Sequence, residues 1–156
     1  MLRKLLMTAG VGALVAMAIG GASFASASGG GSGGVTIVVI EKTTSQHFLD
    51  LGKPGPSPGD MFFFANQFWN ANQTHKVGTN RGHCVFESQS VAHCVGTARL
   101  LGGRLEFAGE TTATGSSSVI AITGGTGTLD GAEGHVNIHN LNAEGTLSRD
   151  TIVLLG

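Results

Sequence analysis

The chain contains no tyrosine, one tryptophan, two cysteines and three prolines, and only 12% of its residues are charged. So few charges do not make a surface that steers charged partners. No cluster of lysine and arginine follows the first residues, which excludes the basic footprint of a nucleic-acid binder. No apolar run reaches the roughly 20 residues of a membrane span. The run Leu5 to Ile19 follows Arg3 and Lys4 and precedes Ala25-Ser26-Ala27, the order of a secretory leader, so residues 1–27 are expected to be cleaved before Ser28. Loss of the leader takes the formal charge from −1 to about −3. A secreted, extracellular protein without a membrane anchor is expected.

Glycine is what the chain has in quantity, 26 residues of its 156. Residues 28–34 read as a flexible glycine/serine segment, which leaves residues 35–156 as one domain. The first strand is Val35 to Thr44, with Ile37, Val39 and Glu41 on one face. All three prolines fall in the connection that follows, QHFLDLGKPGPSPG, where regular structure is excluded. Strands are then expected at Asp60 to Phe68, about Lys76 to Glu87, about Val91 to Leu101 and Arg104 to Thr112. A sixth carries Val119, Ile120 and Ile122, a seventh is Glu133 to Asn140, and an eighth is about Gly145 to Leu155. Eight short strands with no amphipathic helix indicate an all-β domain, an antiparallel barrel or a sandwich. The barrel is preferred, because eight strands enclose room for one small ligand.

The stretch ITGGTGTLDGAEGHV, residues 122–136, has the glycines of a phosphate-binding loop. It lacks the Gly-Lys-Ser/Thr that would hold the phosphates, and the residues after it alternate with period two instead of opening a helix. It reads as a turn between two strands.

That stretch, with GDMFFFANQFWN and VGTNRGHCVF ahead of it, resembles the allene oxide cyclase and dirigent-protein barrel superfamily from Glu41 to the end of the chain. Asp130 and Glu133 stand where dirigent proteins carry arginines, so the cyclase branch is the nearer one. The resemblance implies an eight-stranded antiparallel barrel with a small-molecule cavity, assembled as a homotrimer. It also implies an apolar, water-poor cavity that selects the reactive conformer of a hydrophobic substrate, needing no cofactor.

On this resemblance Glu41 matches the glutamate that stabilises developing positive charge inside the barrel; otherwise it stands solvated at the rim. Asn66 matches the asparagine that helps to hold a water, and Thr43 replaces a second asparagine. Glu41 and Asn66 are the catalytic candidates. Thr43, Phe62, Phe64, Asn80, Cys84 and Phe86 are candidates for the cavity wall, although phenylalanines on such a face equally make core. Cys84 matches a cyclase cysteine, and Cys94 is additional. If the hairpin centres on Gln89, Cys84 faces Cys94 directly, and secretion favours a disulfide over a reduced pair lining the cavity. His83 and His93 are expected to point outward, and His135 and His139, about 13 Å apart along a strand, cannot alone bind one metal ion. No metal site is assigned. The chain reads as a secreted barrel that binds a hydrophobic small molecule. It acts as a cofactor-independent cyclase or isomerase, or else as a non-catalytic carrier or protein-interaction barrel.

Overall fold

The computed structural model describes residues 34–112 and 115–156. The expected leader, and the glycine/serine segment up to its last residue, lie outside the described residues. Eight strands form the described chain: β1 Val35–Leu49, β2 Met61–Asn70, β3 Lys76–Phe86, β4 Val91–Leu100, β5 Gly103–Thr112, β6 Ser117–Gly127, β7 Gly134–Asn140 and β8 Leu147–Leu154. Each pairs antiparallel with the next, and β8 returns to β1, so the sheet is a closed barrel. Each strand therefore has a neighbour on both sides over at least part of its length.

β1 runs five residues beyond its expected end at Thr44, into the segment assigned to the connection. Its first half pairs with β8, Val35 to Leu154 through Lys42 to Leu147, and its second half with β2 alone. An irregularity between Thr43 and Ser45 separates the two halves, and the Thr44 hydroxyl donates to the Ala65 carbonyl at 2.8 Å. The extra residue shifts the alternation, as a β-bulge does. Val39, Glu41 and Thr43 face inward before it, and Gln46 and Phe48 after it. The stretch between bulge and prolines, SQHFLDLGK, puts Phe48 and Leu49 side by side, so it gave no period-two alternation by which to extend the strand.

The barrel interior has two parts. At the end holding the β6–β7 turn, Val39, Phe68, Leu100, Leu105, Ile122 and Ile152 form a closed apolar core. The glycine-rich stretch belongs here, and β6 continues through Gly127 instead of turning at Gly124. The turn itself is short, with Gly127 and Gly131 at φ of 70° and 68°, and it folds Leu129 and Ala132 against the core. This stretch therefore closes the barrel's base with Leu129 and Ala132.

Toward the other end, Phe62, Phe64 and Phe86 pack around the Cys84–Cys94 disulfide, which joins directly opposed residues of β3 and β4. One register row, Phe64, Gly82, Gly96 and Phe107, crosses four strands. The two rings lie over the two glycines. A Cβ on Gly96 would collide with the Phe107 ring, and one on Gly82 would come within 2.8 Å of the tip of Phe64. The glycines thus let two flat phenyl faces line the interior.

The proline-rich connection is tied to the same end. Asp60, with no exposed surface, accepts the Leu51 N–H at 2.8 Å and the Ser57 N–H and hydroxyl at 2.7 and 2.9 Å. Its backbone carbonyl accepts the Phe86 N–H at 2.9 Å. Those donors, led by the Leu51 N–H, hold the Asp60 carboxyl below the usual carboxylate range.

Replacing Gly96 by alanine should lower the unfolding free energy by about 1–3 kcal/mol in urea titrations, as overpacking does. An unchanged midpoint would show that the Phe107 ring does not occupy that space. Reducing the disulfide, which spans a sequence separation of 10 residues, should cost about 2–3 kcal/mol. Denaturation with and without reductant checks it.

Candidate active site

Glu41 is carried into the barrel by the period-two alternation of β1, below the bulge and opposite Phe68 and Ser148. Its carboxyl is met from the side by two amides that are themselves direct register partners, Asn66 on β2 and Asn80 on β3. The Asn66 Nδ2 donates to Oε1 at 2.6 Å, and the Asn80 Nδ2 donates to Oε2 at 2.8 Å. Both amide carbonyl oxygens remain buried without a partner.

A second carboxyl completes the group. Asp150, 2% exposed on β8, shares a hydrogen bond with Glu41 and accepts the Ser148 hydroxyl at 2.7 Å. Burial pushes the Glu41 carboxyl up to about 8, and the charge of Asp150 adds to the rise against the opposing Asn80 and Asn66 donors. Burial also raises Asp150, to about 6, with the Ser148 hydroxyl and the Glu41 proton opposing. At neutral pH the pair therefore holds one proton and one negative charge, Glu41 donating to an ionised Asp150.

The pair stands where two parts of the interior meet. A cavity of about 170 Å³ is lined by Glu41, Thr43, Phe62, Phe64, Asn66 and Asn80, with the disulfide also in its wall. A pocket of about 30 Å³ on the core side is lined by Asp150 with Phe68, Leu105 and Ile152. Asn80, Phe107, Ile120 and Ile138 belong to both walls. Phe86 is outside both; it packs against the disulfide and meets Phe48 edge-on, with ring centroids 5.7 Å apart. His83 lies against Phe63, centroids 5.9 Å apart, away from the cavity. Among the described residues no three histidine, cysteine, aspartate or glutamate side chains gather as a metal site.

Asp150, Ser148 and Phe107 were absent from the sequence-derived candidates. A signal for Asp150 existed. In LSRDTIVL the buried positions are Ser148, Asp150, Ile152 and Leu154, so one carboxylate interrupts an inward apolar face. Phe107 gave none, because its place over Gly96 depends on the register of two strands.

Residues 36–154 match the family described as allene oxide cyclase barrel like domain. The chain belongs to this family. Among solved structures, this allene oxide cyclase-like barrel is similar to a pyocyanin demethylase, with 26% identity and a TM-score of 0.69 over 77% of this chain and 99% of that one. A pterocarpan synthase dirigent protein is similar at 16% identity and a TM-score of 0.63, covering 79% of this chain and 96% of that one. The exo-specific intermolecular Diels-Alderase AbnU is similar at 12% identity and a TM-score of 0.61, over 80% and 99%. The last two likenesses show the shared fold of the barrel alone. No curated protein matches the chain.

The carboxyl pair sets the pH dependence of stability. Glu41 and Asp150 are raised in the folded state, so the native protein holds more protons than the unfolded chain between the ordinary carboxylate range and about 8. Stability therefore falls as pH rises through that window and levels off above it. Asp60 is lowered, so its contribution is lost as pH falls below the ordinary value. Urea midpoints should be highest near about pH 4–5 and decline toward pH 8. Glu41→Gln should flatten the decline; an equal slope in wild type and variant would place the titration elsewhere.

Proposed function

We propose that this barrel is a secreted, cofactor-independent isomerase or cyclase that holds one conformer of a hydrophobic small molecule and moves a proton within it. The observation that carries this reading is the Glu41 and Asp150 pair, which keeps one transferable proton at the wall of an aromatic cavity. Glu41 gives its proton to a basic atom of the substrate. The positive charge formed there is stabilised by the two carboxylates left behind. A proton lost from a neighbouring carbon returns to the pair, so the site ends as it began and the substrate is rearranged without net gain or loss of atoms. Asn66 and Asn80 position Glu41, and Phe62, Phe64 and Phe107 restrict the substrate's shape.

The relatives support a small-molecule barrel of this kind: one is named a demethylase of pyocyanin, one a pterocarpan synthase and one a Diels-Alderase. The disulfide fits an oxidising compartment and hence secretion. Assembly as a homotrimer, implied by the resemblance, belongs to the same proposal and is read by native mass spectrometry.

Incubating the protein with an epoxy fatty acid, a polyketide diene and pyocyanin should give product faster than buffer, or with a different stereochemical ratio, for at least one of them. For that substrate Glu41→Gln and Asp150→Asn should each lower kcat by about 10²–10⁴-fold, the range of general acid–base catalysis. Unchanged kcat in both variants would remove the pair from the mechanism. Saturable binding with no turnover of any of the three would make the barrel a carrier.

A further inference from the structure

The sequence has no run of lysine and arginine after its first residues, but the strand register gathers them on the outer wall of the barrel. One outward-facing row passes through Lys42, Gln67, Thr79, Arg99, Arg104 and Thr126, each the direct partner of the next, and so crosses β1 to β6. Every member is exposed or half-buried. The row is about 24 Å long, at roughly 4.8 Å between neighbouring strands. It holds three cations and no carboxylate, and its other three members carry amide or hydroxyl groups. Arg81, exposed on β3 two positions from Thr79 and on the same face, widens it. Glu106 is the acid on the neighbouring row, and its carboxylate accepts the Thr97 hydroxyl at 2.8 Å. Glu110 lies toward the other end of β5, and Asp50, Glu87, Asp130, Glu133 and Glu144 belong to turns and connections.

Arg99 and Arg104 face each other directly, and like charges so placed repel until an anion lies between them. Lys42 is held with its Nζ 4.8 Å from the centre of the Trp69 ring. Cations separated by hydrogen-bonding side chains on a convex wall match an extended chain in which negative charges alternate with hydroxyl groups. They match nucleic acid less well, because the row contains no aromatic residue and Lys42 covers Trp69 beside it, so bases have no face to stack on. We propose that this row is a docking band for an acidic polysaccharide of the sulfated kind. A sulfate group bridges Arg99 and Arg104, Arg81 and Lys42 meet its neighbours, and sugar hydroxyls pair with Gln67, Thr79 and Thr126. The band is on the outer face and the cavity on the inner one, so the inference is independent of the proposed function.

Three polymers separate charge from sugar: dextran sulfate, uncharged dextran and a DNA duplex. In calorimetric titrations at neutral pH and low salt, dextran sulfate should bind at least about tenfold more tightly than either of the others, although the chain without its leader has a negative formal charge. Arg99→Gln/Arg104→Gln should weaken dextran sulfate by about tenfold or more and make its salt dependence shallower, by about one unit of logarithmic slope for each cation removed. Thr79→Val/Thr126→Val should weaken it severalfold and leave that slope unchanged. Lys53→Gln, in the proline-rich connection, should leave both unchanged. All five side chains lie on the surface, and relief of the arginine repulsion should keep the urea midpoint of the arginine variant at or above the wild-type value. No binding of dextran sulfate at low salt would overturn the inference, as would equal binding by the arginine variant or an equal loss in Lys53→Gln. DNA bound as tightly as dextran sulfate, or a threonine variant that binds like wild type, would also overturn it, by showing that the wall answers to charge alone. If the arginine variant does not fold, the order of the three polymers on the wild-type protein decides.

Discussion

A carboxyl group taken out of water must keep its proton, meet a cation or be surrounded by donors, and the interior of this barrel is arranged around that requirement. Glu41 keeps its proton and directs it to Asp150. Asp150 stays charged with the help of Ser148. The two asparagines donate to Glu41 from adjacent strands, which demands that β2 and β3 hold a fixed register beneath it. That register also places Phe64 over Gly82, and the pairings of β4 with β3 and β5 continue the row to Gly96 and Phe107.

The barrel separates this group from the parts that stabilise it. Apolar burial is concentrated at the base, where the glycine-rich stretch folds Leu129 and Ala132 onto the core. The opposite end has less apolar packing and is secured by other means: a disulfide, and the buried Asp60 carboxylate that gathers the proline-rich connection. Asp60 and the Glu41 pair are carboxyl groups of opposite behaviour. Donors surround the first and favour its charge, while burial and a neighbouring anion disfavour charge at the second.

Much of the fold was legible in the chain, because strands with alternating β-branched residues and glycine-marked turns repeat at short intervals. The antiparallel order and the facing of Cys84 and Cys94 followed from hairpin geometry alone. The extension of β1 to Leu49 did not, because a bulge breaks the period-two pattern by which strands are recognised. The continuation of β6 through Gly127 was hidden for a different reason, since glycines carry no side chain whose alternation could be followed. The site shows the same division. Glu41 and Asn66 follow from the resemblance to the cyclases and Asn80 from the face it shares with Cys84, but that both amides meet the Glu41 carboxyl depends on the register of β1, β2 and β3. Asp150 comes from the last strand, and its approach to Glu41 exists only once the barrel closes. Phe86 shares the inward alternation of Cys84 but lies too far toward the barrel end to meet the cavity.

The bulge at Thr44 makes β1 a strand of two phases. On its β8 side odd-numbered residues face the interior, and on its β2-only side even-numbered residues do. Glu41, which holds the proton, and Gln46, in the wall of the outer cavity, therefore occupy opposite parities of one continuous strand. Variation at the outer positions can reshape what the barrel admits while leaving the spacing around Glu41 untouched. The single unpaired residue thus works as a seam between a fixed geometry of charge and an adjustable geometry of shape.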